Sequence, residues 1–301
     1  MNCTFSPETD FEQLEKSILG VYGAPQLAAQ RSRYQKLLQG FQNAFGAREH
    51  IAVFSAPGRT EIGGNHTDHQ HGRVLAASID LDAIAAAAPN GEKVIRVQSE
   101  GYPLLCVELD NLEVREQERN TSAAIIRGIA AWFKNQGCAL EGLDAYVMSS
   151  VLGGSGLSSS AAFEVLIANI LNSLFFADRC TPVQIAQIVQ YAENVYFGKP
   201  SGLLDQMASS VGGLVTIDFQ ESANPAVEQV DFDFAGAGHA LCIVDSGADH
   251  ADLTDEYAAV TAELREVCAY FHKRVLREVP EEDFYASLQA LRQACCARAV
   301  L

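Results

Sequence analysis

The sequence predicts an α+β protein of two domains built from mixed sheets and helices. Three observations carry that expectation. Strand-like and helix-like segments come in runs and not in strict alternation, which opposes a doubly wound sheet. Apolar residues make up 48% of the chain and charged ones 20%, a balance that packs a core and does not stay disordered. At 301 residues the chain is long enough for more than one core.

Residues 1–50 read as an N-terminal helical arm. Between 10 and 48, Phe11, Leu14 and Ile18, then Tyr34, Leu37, Leu38, Phe41 and Phe45 recur at helical spacing. From about residue 51 the texture turns to short alternating segments, "IAVFSA", "KVIRVQSE", "LLCVELD" and "LDAYVMSS", broken by glycine, proline and asparagine as strands and hairpins are. Helices are expected at about 122–135, 158–176 and 182–197, and strands again at "GLVTIDF", "VEQVDFDF" and "HALCIVDS". "AGAGHA" leads into a strand and reads as a turn; "AIAAAAP" is biased but short. An amphipathic helix then sets Tyr257, Val260, Leu264, Val267, Cys268, Phe271 and Val275 on one face, and "EEDFYASLQALRQACCARAVL" continues the helical pattern.

The net charge of −17 opposes docking on phosphate backbones or anionic lipid, so neither nucleic acid nor membrane is an expected partner. No basic start with an apolar run marks a signal peptide, and no apolar stretch reaches the roughly 18 residues a membrane span needs. A cytoplasmic protein is expected. The eight cysteines lack any CxxC pair and read as reduced, mostly buried thiols. An anionic ligand of so acidic a chain calls for a local positive device.

Three polar segments bear on chemistry. "GRTEIGGNHTDHQHG" is too polar and too rich in glycine for core; it coordinates a metal, holds a polar small molecule or turns the chain. By residue type His66, His69 and His71 with Asp68 suit zinc, although His69 and His71 read as well as solvated turn residues. "SSVLGGSGLSSSAAFEVLIANIL" joins a strand to an apolar helix through glycines and serines, where close backbone approach and free helix N–H groups favour an anion. It lacks the lysine of a Walker loop, the third glycine of a dinucleotide fingerprint (Ser159 stands there) and the second glycine of a hydrolase elbow (Leu157). Phosphate binding and a plain serine N-cap both remain open. In "YAENVYFGKPSGLLDQMASSVGG", Glu193 comes late in a helical pattern, and Asp205 follows a break among Leu203, Leu204 and Met207, where a satisfied cap is the blander role.

Taken together, these segments resemble the GHMP small-molecule kinases and, within them, the galactokinases. "APGRTEIGGNHTDHQHG" is similar to the galactokinase signature, "GGSGLSSSAA" to the family's phosphate loop, "AENVYFGKPSGLLDQ" to its Glu, Gly and Asp-Gln pattern, and "VDSGADHADLTDEY" to the stretch that brings a tyrosine to the sugar. The matches run in the family's order over about 51–257. The resemblance implies a GHMP kinase fold, with residues 51–200 as the N-terminal domain and 201–301 as the start of a C-terminal domain. It implies an ATP-dependent sugar 1-kinase that phosphorylates the anomeric hydroxyl of galactose, with ATP and Mg²⁺ as cofactors. Asp205 would be the general base and Arg59 would keep it ionised and stabilise the transferred phosphoryl group. Asn65, His66, Asp68 and Tyr257 would bind the sugar together with Arg59 and Asp205, Tyr257 having a core role as its rival. Gly154, Ser155, Gly156, Ser158 and Ser159 would cradle the nucleotide, and Ser160 and Glu193 would hold the metal. A monomer or weak dimer is expected.

Departures from the family pattern matter. Asn65 stands where galactokinases carry glutamate, and an uncharged side chain there would tolerate a 6-carboxylate, so a galacturonate or glucuronate 1-kinase is an alternative. Leu152 replaces a proline, and Val260 replaces an arginine. The family's last glycine-rich motif is absent, so the chain is expected to be C-terminally truncated relative to the family and poorly active alone. A non-catalytic sensor of galactose and ATP is a second alternative, and a zinc hydrolase a third.

Overall fold

The computed structural model describes residues 2–5, 11–244, 254–295 and 297–300. The chain forms two compact units: Met1–Arg59, Ser78–Gly153 and Leu157–Gly212 make the first, and Thr60–Ala77, Gly154–Gly156 and Gly213–Leu301 the second.

The first unit is a sheet between two helical layers. Its strands are β1 (Asn2–Phe5), β2 (Ile51–Gly63), β3 (Arg73–Pro89), β4 (Val94–Ser99), β5 (Leu105–Glu108) and β6 (Leu143–Ser149), in the order β1-β2-β3-β6-β4-β5. The β1–β2, β3–β6 and β4–β5 pairs are antiparallel, while β4 and β6 run parallel with Ile95 opposite Leu143. Its helices are α1 (Phe11–Tyr22), α2 (Leu27–Phe45), α3 (Ser122–Asn135), α4 (Ser159–Phe176), α5 (Pro182–Tyr191) and α6 (Leu204–Val211).

Side-chain alternation along β3 shows why the sheet is covered twice. Ile84, Ala86 and Ala88 pack with Leu14, Ile18, Tyr34, Leu37 and Phe41 of the arm. Ala83, Ala85 and Ala87 join the core that α3, α4 and α5 complete with Ile126, Leu166 and Ile188. The stretch that looked merely biased in composition is therefore a strand buried on both faces. Such a strand loses the apolar and polar alternation by which strands are recognised. The arm holds α1 and α2 as read, and residues 2–5 add a strand on β2. It is fastened to β3 by the buried Asp82 carboxylate, which accepts from the Tyr22 hydroxyl, the Arg33 guanidinium and the Ser55 hydroxyl.

The expected helix at 182–197 is two pieces. Thr181 opens α5 with a capping box to Gln184, as a threonine before a proline at N1 should. After Tyr191 the chain widens into a π turn over Ala192–Phe197, a form frequent at functional sites. By length and composition alone, α4 is the one helix among the described residues that could cross a bilayer. Here Ala162, Val165, Leu166, Ile170 and Leu171 are buried in the core of the first unit.

In the second unit β7 (Leu214–Asp218) pairs antiparallel with the start of β3, Arg73 opposite Asp218 and Ala77 opposite Leu214, and β8 (Ala226–Gln229) pairs with β7. Helices α7 (Thr254–Tyr270), α8 (Glu281–Ala294) and α9 (Ala297–Val300) share a small core of Val267, Leu291 and Val300. The strand expected over "VEQVDFDF" stops at Gln229. Phe232 and Phe234 meet edge to face with ring centres 4.8 Å apart and find no partner strand among the described residues, so their alternation has nothing to pair with. Residues 239–244 form no strand either, and the rest of "HALCIVDS" lies outside the described residues. The amphipathic face of α7 is shorter than read. Val267 and Cys268 are buried, Val260 is exposed, and the helix ends at Tyr270, before Phe271 and Val275. Cys106, Cys138, Cys180, Cys242, Cys268 and Cys295 are free thiols, and of these six Cys138, Cys180 and Cys268 are buried.

Candidate active site

In the first unit a glycine lets two segments meet. Gly58 on β2 lies so near the Leu157 carbonyl that a Cβ there would stand 2.8 Å from the oxygen. The next residue, Arg59, donates its backbone N–H to that same carbonyl at 3.0 Å. Arg59 is 7% exposed and turns its side chain onto Asp205 in the first turn of α6. Both Nε and Nη2 donate to Asp205 Oδ1 at 2.7 Å. The other carboxylate oxygen, Oδ2, accepts from Ser158 Oγ at 2.7 Å. Charge-assisted bonds of this length are the strong ones and hold the carboxylate in a single orientation.

Ser158 is not a plain serine N-cap. It occupies the N-cap position of α4, yet its side chain makes no capping bond. Its backbone is left-handed, φ 57, whereas a capping serine has extended backbone and turns its oxygen back to the helix. Before it, Gly154 and Gly156 have φ 72 and 74, a region glycine enters without the Cβ clash of other residues. Ser159 and Ser160 are the first two residues of α4, and Ser160 is exposed.

The π turn carries Glu193 inward. Its Oε2 accepts from Ser201 Oγ at 2.6 Å and from Gln206 Nε2. Burial pushes the Glu193 carboxyl up; Ser201, Lys199 and Gln206 work against that, and Asp205 adds to it. Glu164, four residues beyond Ser160 on α4, is buried, and its carboxyl is raised well above the usual carboxylate range, first by burial and then by Glu193 and Asp205. Three carboxylates thus repel one another, and Arg59 and Lys199 offset them in part. Ser160 and Glu193 are hard oxygen donors of the type Mg²⁺ takes, and two protein donors suit an ion that fills its remaining positions with water and phosphate oxygens. The residues present therefore suit that ion by donor chemistry.

In the second unit the first glycine-rich segment makes a tight turn, a 3₁₀ stretch over Thr67–Gln70 between His66 and His71, both left-handed at φ 55 and 57. Glu61 accepts the His66 N–H at 3.0 Å and lies 3.6 Å from its Nε2. Asn65 and His66 are exposed, Asp68 and Gln70 buried, and His69 faces solvent as read. Among the described residues no group of three or more His, Cys, Asp or Glu is placed to hold a metal ion, which leaves the zinc reading without a ligand set. Tyr257 falls in the first turn of α7, and its side chain lies outside the described residues.

Of the residues expected to act, Arg59, Ser158 and Asp205 come into direct contact in the first unit, with Glu193 near enough to act on Asp205 electrostatically. Asn65, His66 and Asp68 share the turn of the second. Sequence reasoning missed Glu61, Gln70, Glu164, Lys199, Ser201 and Gln206. Each stands within or beside a quoted motif, but residue type alone did not separate it from solvated neighbours.

Comparison with known proteins agrees with these features. Residues 39–89 match the galactokinase galactose-binding signature, and residues 123–213 match the GHMP kinases N terminal domain. A galactokinase of Streptomyces coelicolor is 33% identical over 251 residues, 83% of this chain and 64% of the relative. The crystal structure of Lactococcus lactis galactokinase complexed with galactose matches with a TM-score of 0.69 at 25% identity, covering 84% of this chain and 66% of that one. Mevalonate kinase of Methanococcus jannaschii, at TM-score 0.51 and 16% identity over 61% of this chain and 57% of its own, shares the fold. The chain spans about 64% of the length of the curated relatives it matches. On its two signatures and its kinship with these enzymes, it belongs to the GHMP kinase family and, within that family, to the galactokinase group.

Proposed function

We propose that this chain is an ATP-dependent sugar 1-kinase that phosphorylates the anomeric hydroxyl of galactose. One observation carries the proposal: a carboxylate, Asp205, fixed from one side by the Arg59 guanidinium and from the other by Ser158 at the mouth of α4. A general base must be held in one orientation until the acceptor arrives, and two donors do that.

In this scheme Asp205 takes the proton of the anomeric hydroxyl. The freed oxygen attacks the terminal phosphorus of ATP, the bond from that phosphorus to the bridging oxygen breaks, ADP leaves with the electron pair, and Asp205 passes its proton to solvent. Arg59 stabilises the charge that develops on the transferred group. Backbone N–H groups over Gly154, Ser155, Gly156, Ser158 and Ser159 cradle the phosphates. Asn65, His66, Asp68 and Tyr257 bind sugar hydroxyls. Ser160 and Glu193 would hold Mg²⁺, which when bound offsets phosphate charge. A cytoplasmic setting, where ATP is present, goes with this activity.

The alternatives are not favoured. Asn65 has φ 49, a left-handed conformation in which asparagine is several-fold enriched. An uncharged residue there has a backbone reason and needs no uronic acid to explain it. The sensor reading has no observation of its own, since Asp205 is present and braced. The test is ADP release from ATP with galactose, galacturonate, glucuronate and no sugar, for wild type and Asp205→Asn. Galactose-dependent turnover falling about 10²- to 10⁴-fold in the variant, with galactose still bound, is expected. Turnover unchanged in Asp205→Asn would overturn the mechanism, and faster turnover of a uronic acid would overturn the substrate.

A further inference from the structure

The turn that carries Asn65, His66 and Asp68 is held by a part of the chain 200 residues away, and the contacts converge on one side chain. Gln70 closes the 3₁₀ stretch and is buried. Its Oε1 accepts two bonds, the Leu276 backbone N–H at 2.9 Å and the Cys268 S–H at 3.4 Å. One oxygen thereby joins the end of α7, the segment after it and the turn. Arg277, next to Leu276, repeats the attachment one residue further along: Nη1 donates to the His71 carbonyl at 3.3 Å, and Nη2 donates to Asp218 Oδ2 and Gln220 Oε1, both at 3.1 Å. Asp218 also takes Arg73 Nε at 2.7 Å, and these bonds hold its carboxyl down at about 2. The turn needs such support. Asn65, His66 and His71 are all left-handed, a conformation non-glycine residues seldom adopt and that the surroundings must hold in place.

We infer that Gln70 is a positioning residue for sugar recognition: by tying the signature turn to residues 268–277, its side-chain oxygen sets where His66 and Asp68 stand. The inference rests on the sugar-kinase reading for its functional half and on the geometry for its structural half. The chemistry that matters is the acceptor oxygen. Gln70→Glu keeps it at the same reach, and Gln70→Leu removes it at similar volume, leaving the half-buried Leu276 N–H without that partner.

Two measurements on the whole chain decide it. Residue-resolved amide exchange should show the Leu276 N–H and the 66–72 amides exchanging at least about tenfold faster in Gln70→Leu than in wild type, with Gln70→Glu close to wild type. Steady-state kinetics should show the galactose KM raised about tenfold or more in Gln70→Leu, the ATP KM unchanged, kcat within about threefold, and recovery in Gln70→Glu. A role confined to folding would lower the active fraction and leave both KM values alone. Unchanged exchange at Leu276 in Gln70→Leu overturns the tether. Altered exchange with an unaltered galactose KM overturns the positioning role. Wild-type protein that turns over no galactose would refute the proposed function, and the exchange experiment would still decide the tether. If Gln70→Leu does not fold, Arg277→Met tests the same tether: raised exchange over 71–72 and a raised galactose KM support it, and wild-type values for both overturn it.

Discussion

Replacing Gly58 by alanine probes the closest approach in the candidate site. A Cβ at 58 would stand 2.8 Å from the Leu157 oxygen, 3.1 Å from Val151 Cγ1 and 3.2 Å from Ile79 Cδ1. The aliphatic tips can turn aside, but the oxygen is backbone and is bound to the Arg59 N–H at 3.0 Å. Relief therefore has to come from separating β2 from the segment entering α4, by about 0.7 Å to reach an ordinary contact near 3.5 Å. Overpacking of this kind costs about 1–3 kcal/mol. The same separation moves Arg59 away from Ser158, the two donors that share Asp205. Since a displacement of about 1 Å in a positioned group can cost about 10²-fold, a fall of about tenfold in kcat is expected.

Urea unfolding gives the first figure, and galactose-dependent ADP release gives the second. Gly20→Ala is the control. Gly20 lies inside α1 with nothing within 4 Å of its missing Cβ, so the change should raise stability by up to about 1 kcal/mol and leave kcat alone. If Gly58→Ala unfolds within about 0.5 kcal/mol of wild type, inside the scatter of a neutral surface change, and kcat holds within about twofold, the close approach does not organise these donors.

Two further outcomes follow from the same residues. Ser158 is strained at φ 57 and bonded to Asp205, so Ser158→Ala loses the bond and keeps the strain, while Ser158→Gly loses the bond and sheds the strain. Chemical unfolding should therefore rank wild type above Ser158→Gly above Ser158→Ala, the two variants about 1 kcal/mol apart; the reverse order would refute the conformational argument. Glu164 is raised above its ordinary 4.5, so the folded state keeps a proton that the unfolded state gives up as pH rises, and wild-type stability falls from about pH 4.5 upward through the folded value. Glu164→Gln removes that loss: its advantage should be absent near pH 4 and grow by up to about 1.4 kcal/mol per pH unit above it, and parallel stability curves would refute the assignment.

Much of the first unit was legible because its helices are long and one-sided. Leu14 and Ile18 recur along one face of α1, Tyr34, Leu37 and Phe41 along one face of α2, and all are buried. The central strand was hidden by its success: Ala83 to Ala88 face helices on both sides, so no polar residue marks the alternation. The helix bearing Asp205 was hidden by its length, eight residues directly after a glycine and proline break. In the site, Arg59 and Asp205 were found through motif resemblance. The bond from Ser158 to Asp205 was not, because it depends on a left-handed backbone that serine rarely adopts. Gln70 gave no signal at all. In a stretch of histidines, threonine and aspartate a buried glutamine reads as one more solvated residue, and its partners at 268 and 276 are too far along the chain for any local pattern to reveal.

Charge explains why Ser158 is worth its strain in the proposed kinase. The chain carries −17 overall, and Glu164, Glu193 and Asp205 crowd together in the first unit against two cations, Arg59 and Lys199. An incoming nucleotide brings still more negative charge, and Arg59 divides its charge between Asp205 and the transferred group. The neutral device left to receive phosphate is the row of free N–H groups that begins α4. A serine with ordinary N-cap geometry would occupy one of those N–H groups with its own hydroxyl. Turned left-handed, Ser158 leaves them open and spends its hydroxyl on the base, so a single backbone conformation serves the phosphate donor and the proton acceptor together.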